Sequence, residues 1–449
     1  MQHATNFIRY SALAAAVALA AAAGDAHGAA FQLKENSAKG LGRAYAGSAS
    51  APGDASVVAT NPAAMRLLDG RQLQADVNVI SFSAKFQGQG SYLGGLGGSI
   101  SGGNGGDAGT IKPVPSLYFH QPFGENDDLH FGVSVTVPFG FKTEYDKNWV
   151  GRYSGIKTQL QAVDLGAAFS YDVNPYVSFG GSVFAERLSV DLTQAIDFGT
   201  ALYAAGASSL GFAPGNADGF TQLKADDTAY GFTLGTLLTP VEGTNIGFTY
   251  RSQVRHKITD GNATFSVPAA AAAVLGVFSP GAYVDTKGSA TIVLPASATA
   301  SFTHRINDRW TVMADVSRTA WSKFDKVVID YASTQSSSTL GFYYRDTTFA
   351  SLGADYKVSD TLTLRAGVAY DQTPTTDAHR DVRVPDASRK WLALGLSWTP
   401  SEKFEYNLGY VHLFTSDPKI DETSVTASTL VGSYEVSGDV LGVSMNYKF

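Results

Sequence analysis

The sequence predicts an all-β fold: a 14-stranded antiparallel transmembrane β-barrel, preceded by an N-terminal segment for which a plug (hatch) is one of two readings. Three observations predict it. The chain opens on an export leader, period-two amphipathic segments recur to its last residue, and the linkers between them alternate between short and long.

Residues 1–28 read as a secretory signal peptide. Arg9 supplies the positive charge, residues 11–23 form an Ala-rich apolar run, and Ala26 and Gly28 put small residues at the exit. The run is too short to span a bilayer, so the mature chain is expected to be exported and to start near Ala29. The sequence has no cysteine, so the fold closes without disulfides. Mean hydropathy is −0.03, and the nearest thing to a membrane helix after the leader, residues 268–278, is mostly alanine and too short. Barrels escape hydropathy averages because lipid-facing and lumen-facing residues alternate. A net charge of −7 with no basic patch opposes nucleic-acid binding.

The C-terminus shows the alternation. Leu441, Val443, Met445, Tyr447 and Phe449 share one parity; Gly442, Ser444, Asn446 and Lys448 share the other. Leu362 to Tyr370, Leu392 to Trp398, Phe404 to Tyr410 and Leu129 to Val137 repeat the pattern, often with Gly or Ser on the polar side, as a crowded lumen favours. The expected strands are 72–86, 110–121, 129–139, 160–172, 176–193, 228–240, 244–257, 287–304, 309–329, 340–357, 361–371, 388–399, 404–414 and 436–449.

Between them, 172–176, 240–244, 305–309, 357–361 and 400–404 are short and rich in turn formers; 87–109, 140–159, 194–227, 258–286, 330–339, 371–388 and 415–435 are long. Short periplasmic turns and long extracellular loops produce this alternation, and a soluble sandwich has no reason to. Where no water is available every strand must pair, so the sheet must close. Trp149, Tyr153, Tyr171, Tyr176, Trp310, Trp321, Trp391, Trp398 and Tyr447 lie near strand ends and read as interfacial girdles.

Residues 29–71, ahead of the barrel at 72–449, do not alternate. They suit either a plug folded back into the lumen or a disordered periplasmic tail, and composition alone does not separate the two.

Their residues also carry a resemblance. Ala29-Ala30-Phe31-Gln32-Leu33, then residues 40–47 (GLGRAYAG) and Asn61-Pro62-Ala63-Ala64, resemble the hatch of the FadL family of long-chain fatty-acid transporters. Gly151-Arg152-Tyr153, Thr249-Tyr250-Arg251-Ser252, Trp321-Ser322-Lys323-Phe324 and the terminal Asn446-Tyr447-Lys448-Phe449 extend it over essentially the whole mature chain. The resemblance implies outer-membrane transport of a hydrophobic molecule. Substrate lands on extracellular loops, passes to an inner pocket gated by the N-terminus, and leaves sideways at a kink in the third strand. Expected partners are a long-chain fatty acid or other hydrophobic small molecule, and the surrounding lipid and lipopolysaccharide of a Gram-negative outer membrane. A monomer is expected, with no cofactor and no metal.

On this reading Ala29, Ala30 and Phe31 belong to the mobile N-terminus, with Phe31 reaching the pocket. Asn61, Pro62 and Ala63 form a hatch turn against the third strand, where Gly132 and Pro138 permit the kink or simply end the strand. A carboxylate headgroup wants a cation: Arg345 has lumen parity in the tenth strand, and Arg187, in the fifth, does so if a bulge near Ala185 shifts the phase. For the landing groove the apolar stretches 201–212 and 269–277 are candidates, with Phe139 and Phe141.

An enzyme is not expected: there is no Gly-x-Ser-x-Gly, and His120, His130, His256, His304, His379 and His412 lack metal-ligand spacing. Uptake of aromatic hydrocarbons by the same fold, or an adhesin or structural barrel, are the alternatives.

Overall fold

The computed structural model describes residues 30–92, 98–424 and 428–449; the leader and Ala29 lie outside them. Among the described residues the sheet has fourteen staves, five of them in two pieces. They are β1 (Gln72–Tyr92), β2 (Ile111–Phe123), β3 (Leu129–Glu144), β4 (Lys157–Asn174), β5 (Val177–Asp197) and β6 (Asp218–Val241). Next come β7 (Thr244–Arg251, Val254–Ser266), β8 (Thr286–Leu294, Ser297–Arg305), β9 (Trp310–Thr319, Lys326–Tyr331) and β10 (Ser338–Gly341, Thr347–Lys357). The last are β11 (Leu362–Asp371), β12 (Arg389–Ser401), β13 (Phe404–Thr415, Lys419–Thr423) and β14 (Ser428–Lys448). All pairings are antiparallel, and β14 returns to β1 from Lys448 opposite Gln72 to Ser428 opposite Tyr92, so the barrel closes.

The apolar parity faces outward, as a wall in lipid requires: Leu165, Phe169, Leu234, Phe248, Leu394 and Val443 are exposed. Tyr171, Tyr176, Trp310 and Trp398 are exposed beside the short turns, as a girdle would be. Trp149, Tyr153, Trp321 and Trp391 are instead buried inside, so proximity to a strand end did not place them at an interface.

Several staves run longer than expected: β6 begins at Asp218 rather than 228, and β14 at Ser428 rather than 436. The outward side of these added stretches is polar, with Lys224, Asp226, Thr228 and Glu435 exposed, so they lack the apolar alternation. In β5 the apolar residues change sides. Phe179 and Val183 face out, whereas Leu188 is buried inward with Val190 and Leu192 packed around it.

Residues 30–71 lie within the barrel. Ser37 caps α1 (Ala38–Leu41), its hydroxyl accepting from the Gly40 amide at 3.0 Å. After α2 (Val57–Thr60), Pro62 opens a 3₁₀ turn, Pro62–Leu67. Glycines on the inner wall permit this filling: a Cβ at Gly395 would stand 2.7 Å from the Gly42 Cα, and one at Gly247 would stand 2.1 Å from the Ala49 carbonyl oxygen. Inward acids pin the segment. Asp315 accepts the Gly47 and Ser48 amides at 2.7 and 3.1 Å, Asp76 accepts the Ala38 amide at 2.8 Å, and Lys39 pairs with Glu405 at 2.8 Å.

Candidate substrate passage

Phe31 is buried at the centre of an aromatic cluster in the extracellular half of the lumen. Its ring meets Trp321 edge-on at 4.7 Å and Phe324 at 5.0 Å, with Phe139 at 6.1 Å. Phe141, Leu188 and Phe342 complete the same apolar cluster. Phe139 and Phe141 therefore belong to the interior and not to a loop groove, because β3 continues to Glu144 and points both inward. Among the described residues the Trp321 indole N–H has no acceptor. Beside this cluster lies a cavity of about 50 Å³ lined by Val190, Leu192, Leu223, Ile258, Val327 and Ile329.

The N-terminal segment is held by β3 itself. Gln32 bridges Phe139, the Leu33 amide donates to the Pro138 carbonyl at 2.8 Å, and the Gly140 amide donates to Phe31 at 2.9 Å. Ala30 donates its amide to Asp386 at 3.0 Å. The register of β3 against β4 shifts between Thr136 and Phe139, so Val137 and Pro138 form a bulge. The ladder between β2 and β3 ends at Leu117 opposite Val135. Above that point residues 31–33 occupy the side of β3 that β2 has left. Pro138 thus bends the strand and does not end it.

Below this segment a second cavity of about 130 Å³ lies against the bulge, lined by Leu33, Lys34, Val137, Pro138, Arg251 and Phe349 among others. Arg251 is committed to Asp164 and Glu186, each at 2.7 Å, and stands 4.0 Å over the Phe184 ring. His256 continues the chain to Glu186 at 3.1 Å and Asp227 at 3.0 Å. Burial lowers Lys34 from its ordinary lysine value and pushes the neighbouring Glu35 carboxyl up to about 7.

Both expected headgroup cations lie elsewhere. Arg187 is exposed on the outer wall and pairs with Asp226 at 2.9 Å; β5 keeps its register through Ala185, so no bulge turns the side chain inward. Arg345 is exposed too. The ladder of β10 is interrupted across 342–346, and the inward parity passes from Phe342 and Tyr344 to Thr347 and Phe349, which drops Arg345 onto the outside. Asn61, Pro62 and Ala63 sit against β5, β6 and β7 rather than the third strand: a Cβ at Gly235 would stand 1.9 Å from Asn61 Oδ1, and one at Gly180 would stand 2.5 Å from the Ala63 nitrogen. Asn61 donates to Ala49 at 2.8 Å. Besides its bonds to residues 31–33, the third strand meets the hatch at Gly132, opposite Val58 and Met65.

Sequence reasoning missed Lys34, Arg251, Trp321 and Phe324 as passage residues. The available signal was the change of apolar parity in β5, which marks where the interior turns apolar. The loop stretches come together: α3 (Phe198–Ala204) packs on α4 (Ala269–Phe278) through Phe198, Leu202 and Ala271, leaving Leu210, Val277 and Phe278 exposed. Arg152 and Tyr153 of the Gly-Arg-Tyr motif both bond Asp218, at 2.8 and 2.7 Å, and so tie the second long loop to the start of β6.

Residues 19–449 match the family described as outer membrane protein transport protein (OMPP1/FadL/TodX). The chain is 32% identical to outer membrane protein P1 of Haemophilus influenzae, covering 97% of this chain and 98% of that one. It is 31% identical to the long-chain fatty acid transport protein of an Escherichia coli O6:H1 strain, covering 98% of each. The crystal structure of a Pseudomonas aeruginosa FadL homologue superposes with a TM-score of 0.85 at 29% identity, over 93% of this chain and 99% of that one. The Pseudomonas putida toluene transporter TodX shares the fold, with a TM-score of 0.65 at 20% identity over 94% and 100%. Family members are transport channels and not enzymes. The chain belongs to the OMPP1/FadL/TodX family and is a Gram-negative outer-membrane β-barrel that transports hydrophobic compounds.

Proposed function

We propose that the chain imports long-chain fatty acids, with the segment from Ala29 to Leu33 as the gate and the gap between β2 and β3 as a lateral exit. The observation that carries this reading is one arrangement. Phe31 closes an apolar pocket, and its own backbone is bonded to the bulged stretch of β3 where β2 has left the ladder. A fatty acyl chain gains about 0.8 kcal/mol for each methylene buried, so staged apolar sites draw it out of water. Release then requires a change of state, which withdrawal of Phe31 would supply.

The exposed apolar surface of Leu210, Val277 and Phe278 supports a landing site on α3 and α4. The long-chain fatty acid transport protein among its relatives supports the substrate class. A closed sheet has no free edge, which supports a monomer surrounded by outer-membrane lipid and lipopolysaccharide. The division into leader (1–28), hatch (29–71) and barrel (72–449) belongs to the same reading.

The test is uptake of radiolabelled palmitate and toluene by cells that lack their own transporter and express this chain or a version without residues 29–33. Palmitate uptake that falls on truncation supports substrate and gate together. Toluene uptake alone would replace the substrate, and neither, with surface expression verified, would sink the transport of both classes.

A further inference from the structure

Lys34 is a half-buried cation whose electrostatic neighbours Asp371, Asp315 and Glu35 all stand off without a direct ion pair. Among the described residues its ammonium makes no hydrogen bond or ion pair, and it rests 4.3 Å from the centre of the Phe349 ring. It faces the 130 Å³ cavity at the β3 bulge, which also receives Arg251 and Asp315. Neither of those is free. Arg251 spends its guanidinium on Asp164 and Glu186. Asp315 is occupied by the Gly47 and Ser48 amides and the Ser301 hydroxyl. The nearby Asp371 is engaged by Arg389 at 3.4 Å. Lys34 is therefore the charge of this cavity without a direct bonding partner, in a wall that also holds apolar surface, the Gln32 and Asn36 amides and hydroxyls such as Thr136, Thr249 and Ser297.

We propose that Lys34 is a carboxylate-binding residue, and that the lower cavity is a station for the headgroup of an anionic amphiphile on its way from the inner pocket to the wall. The proposal rests on the reading that the substrate is a fatty acid. Phe31 and Lys34 stand three positions apart on one short extended segment. Phe31 closes the apolar pocket above and Lys34 lines the cavity below, so the element that shuts the passage also carries the headgroup ligand. When the segment withdraws, the two spaces join and the carboxylate meets an ammonium that no protein carboxylate contacts directly. A partly desolvated ammonium without a direct hydrogen-bond acceptor is costly, and an arriving carboxylate supplies one. A neutral amphiphile gains none of this, so the residue discriminates by headgroup and not by chain.

The experiment compares initial uptake of palmitate with uptake of hexadecanol, the uncharged partner of the same chain length, for the full chain and for K34M and K34R. Palmitate uptake relative to hexadecanol is expected to fall about tenfold in K34M and to return in K34R, as loss of a charged hydrogen bond implies. Equal falls for both substrates would make Lys34 a structural residue and overturn the proposal. A ratio unaltered in K34M with undiminished uptake would overturn it as well, leaving the fatty-acid reading intact. A wild-type chain that imports hexadecanol but no palmitate would remove the reading itself, and the proposal with it.

Discussion

Strand phase decides which wall cations reach the lumen: Arg251 projects inward to Asp164 and Glu186. Arg187 and Arg345 project outward into water, where an exposed pair such as Arg187–Asp226 contributes little. Replacing either with alanine should leave palmitate uptake within about twofold of the parent chain; a larger loss in initial-rate measurements would contradict the outward placement. Phe31 is the opposite case. Its three ring contacts dock the N-terminus, and removing a buried aromatic costs on the order of 3 kcal/mol. F31A should therefore undock the segment, seen as faster hydrogen exchange at the amides of Leu33 and Gly140, which bond across the docked interface. Unchanged exchange there would mean that the backbone contacts hold without the ring.

At the scale of elements, β3 decides how the wall is built. It pairs β4 along its length but loses β2 above Val135. If the lateral gap is the exit, sewing it shut should stop transport. The chain has no cysteine, so S116C with T136C, the next positions the ladder would join, makes a single oxidisable pair. Formation of that disulfide requires the Cα atoms to come within about 7 Å. Palmitate uptake is expected to fall on oxidation and to recover with reductant. A verified disulfide that leaves uptake unaltered would close the lateral route as an explanation.

The same strand shows what sequence conveys and what it withholds. Fourteen staves were legible because lipid demands an unbroken apolar face, and period-two alternation reports that demand directly. Phe31 and the bend at Pro138 were legible as candidates because an aromatic on the mature N-terminus and a strand proline are locally conspicuous. The phase of Arg345 was not, since the one local cue to the interruption at 342–346, Gly341 just before it, resembles the glycines of unbroken strands. Nor were the partners of Asn61: the glycines that admit it, Gly180 and Gly235, lie more than a hundred positions away and become neighbours only when the barrel closes.

Across the whole molecule the plug is anchored unevenly. Its deeper part is fixed by Asp315, Asp76 and Glu405 through charge-assisted bonds to backbone and lysine, while its leading end is held by aromatic contacts and a few amides. Glu35 sits at the junction. Burial raises its carboxyl to about 7 against an ordinary value near 4.5, so the docked plug binds a proton that the undocked segment has given up. Docking is then fully favoured below about pH 4.5, weakens as pH rises, and has lost that contribution above about pH 7. Conductance of the purified barrel in planar bilayers should accordingly increase between pH 5 and pH 8 as the leading end loosens. E35Q, neutral throughout, should flatten the dependence at the low-conductance level. A pH slope that survives E35Q would assign the titration to another group, and a slope of opposite sign would mean that the buried carboxylate finds a stronger partner on ionising than the docked structure provides.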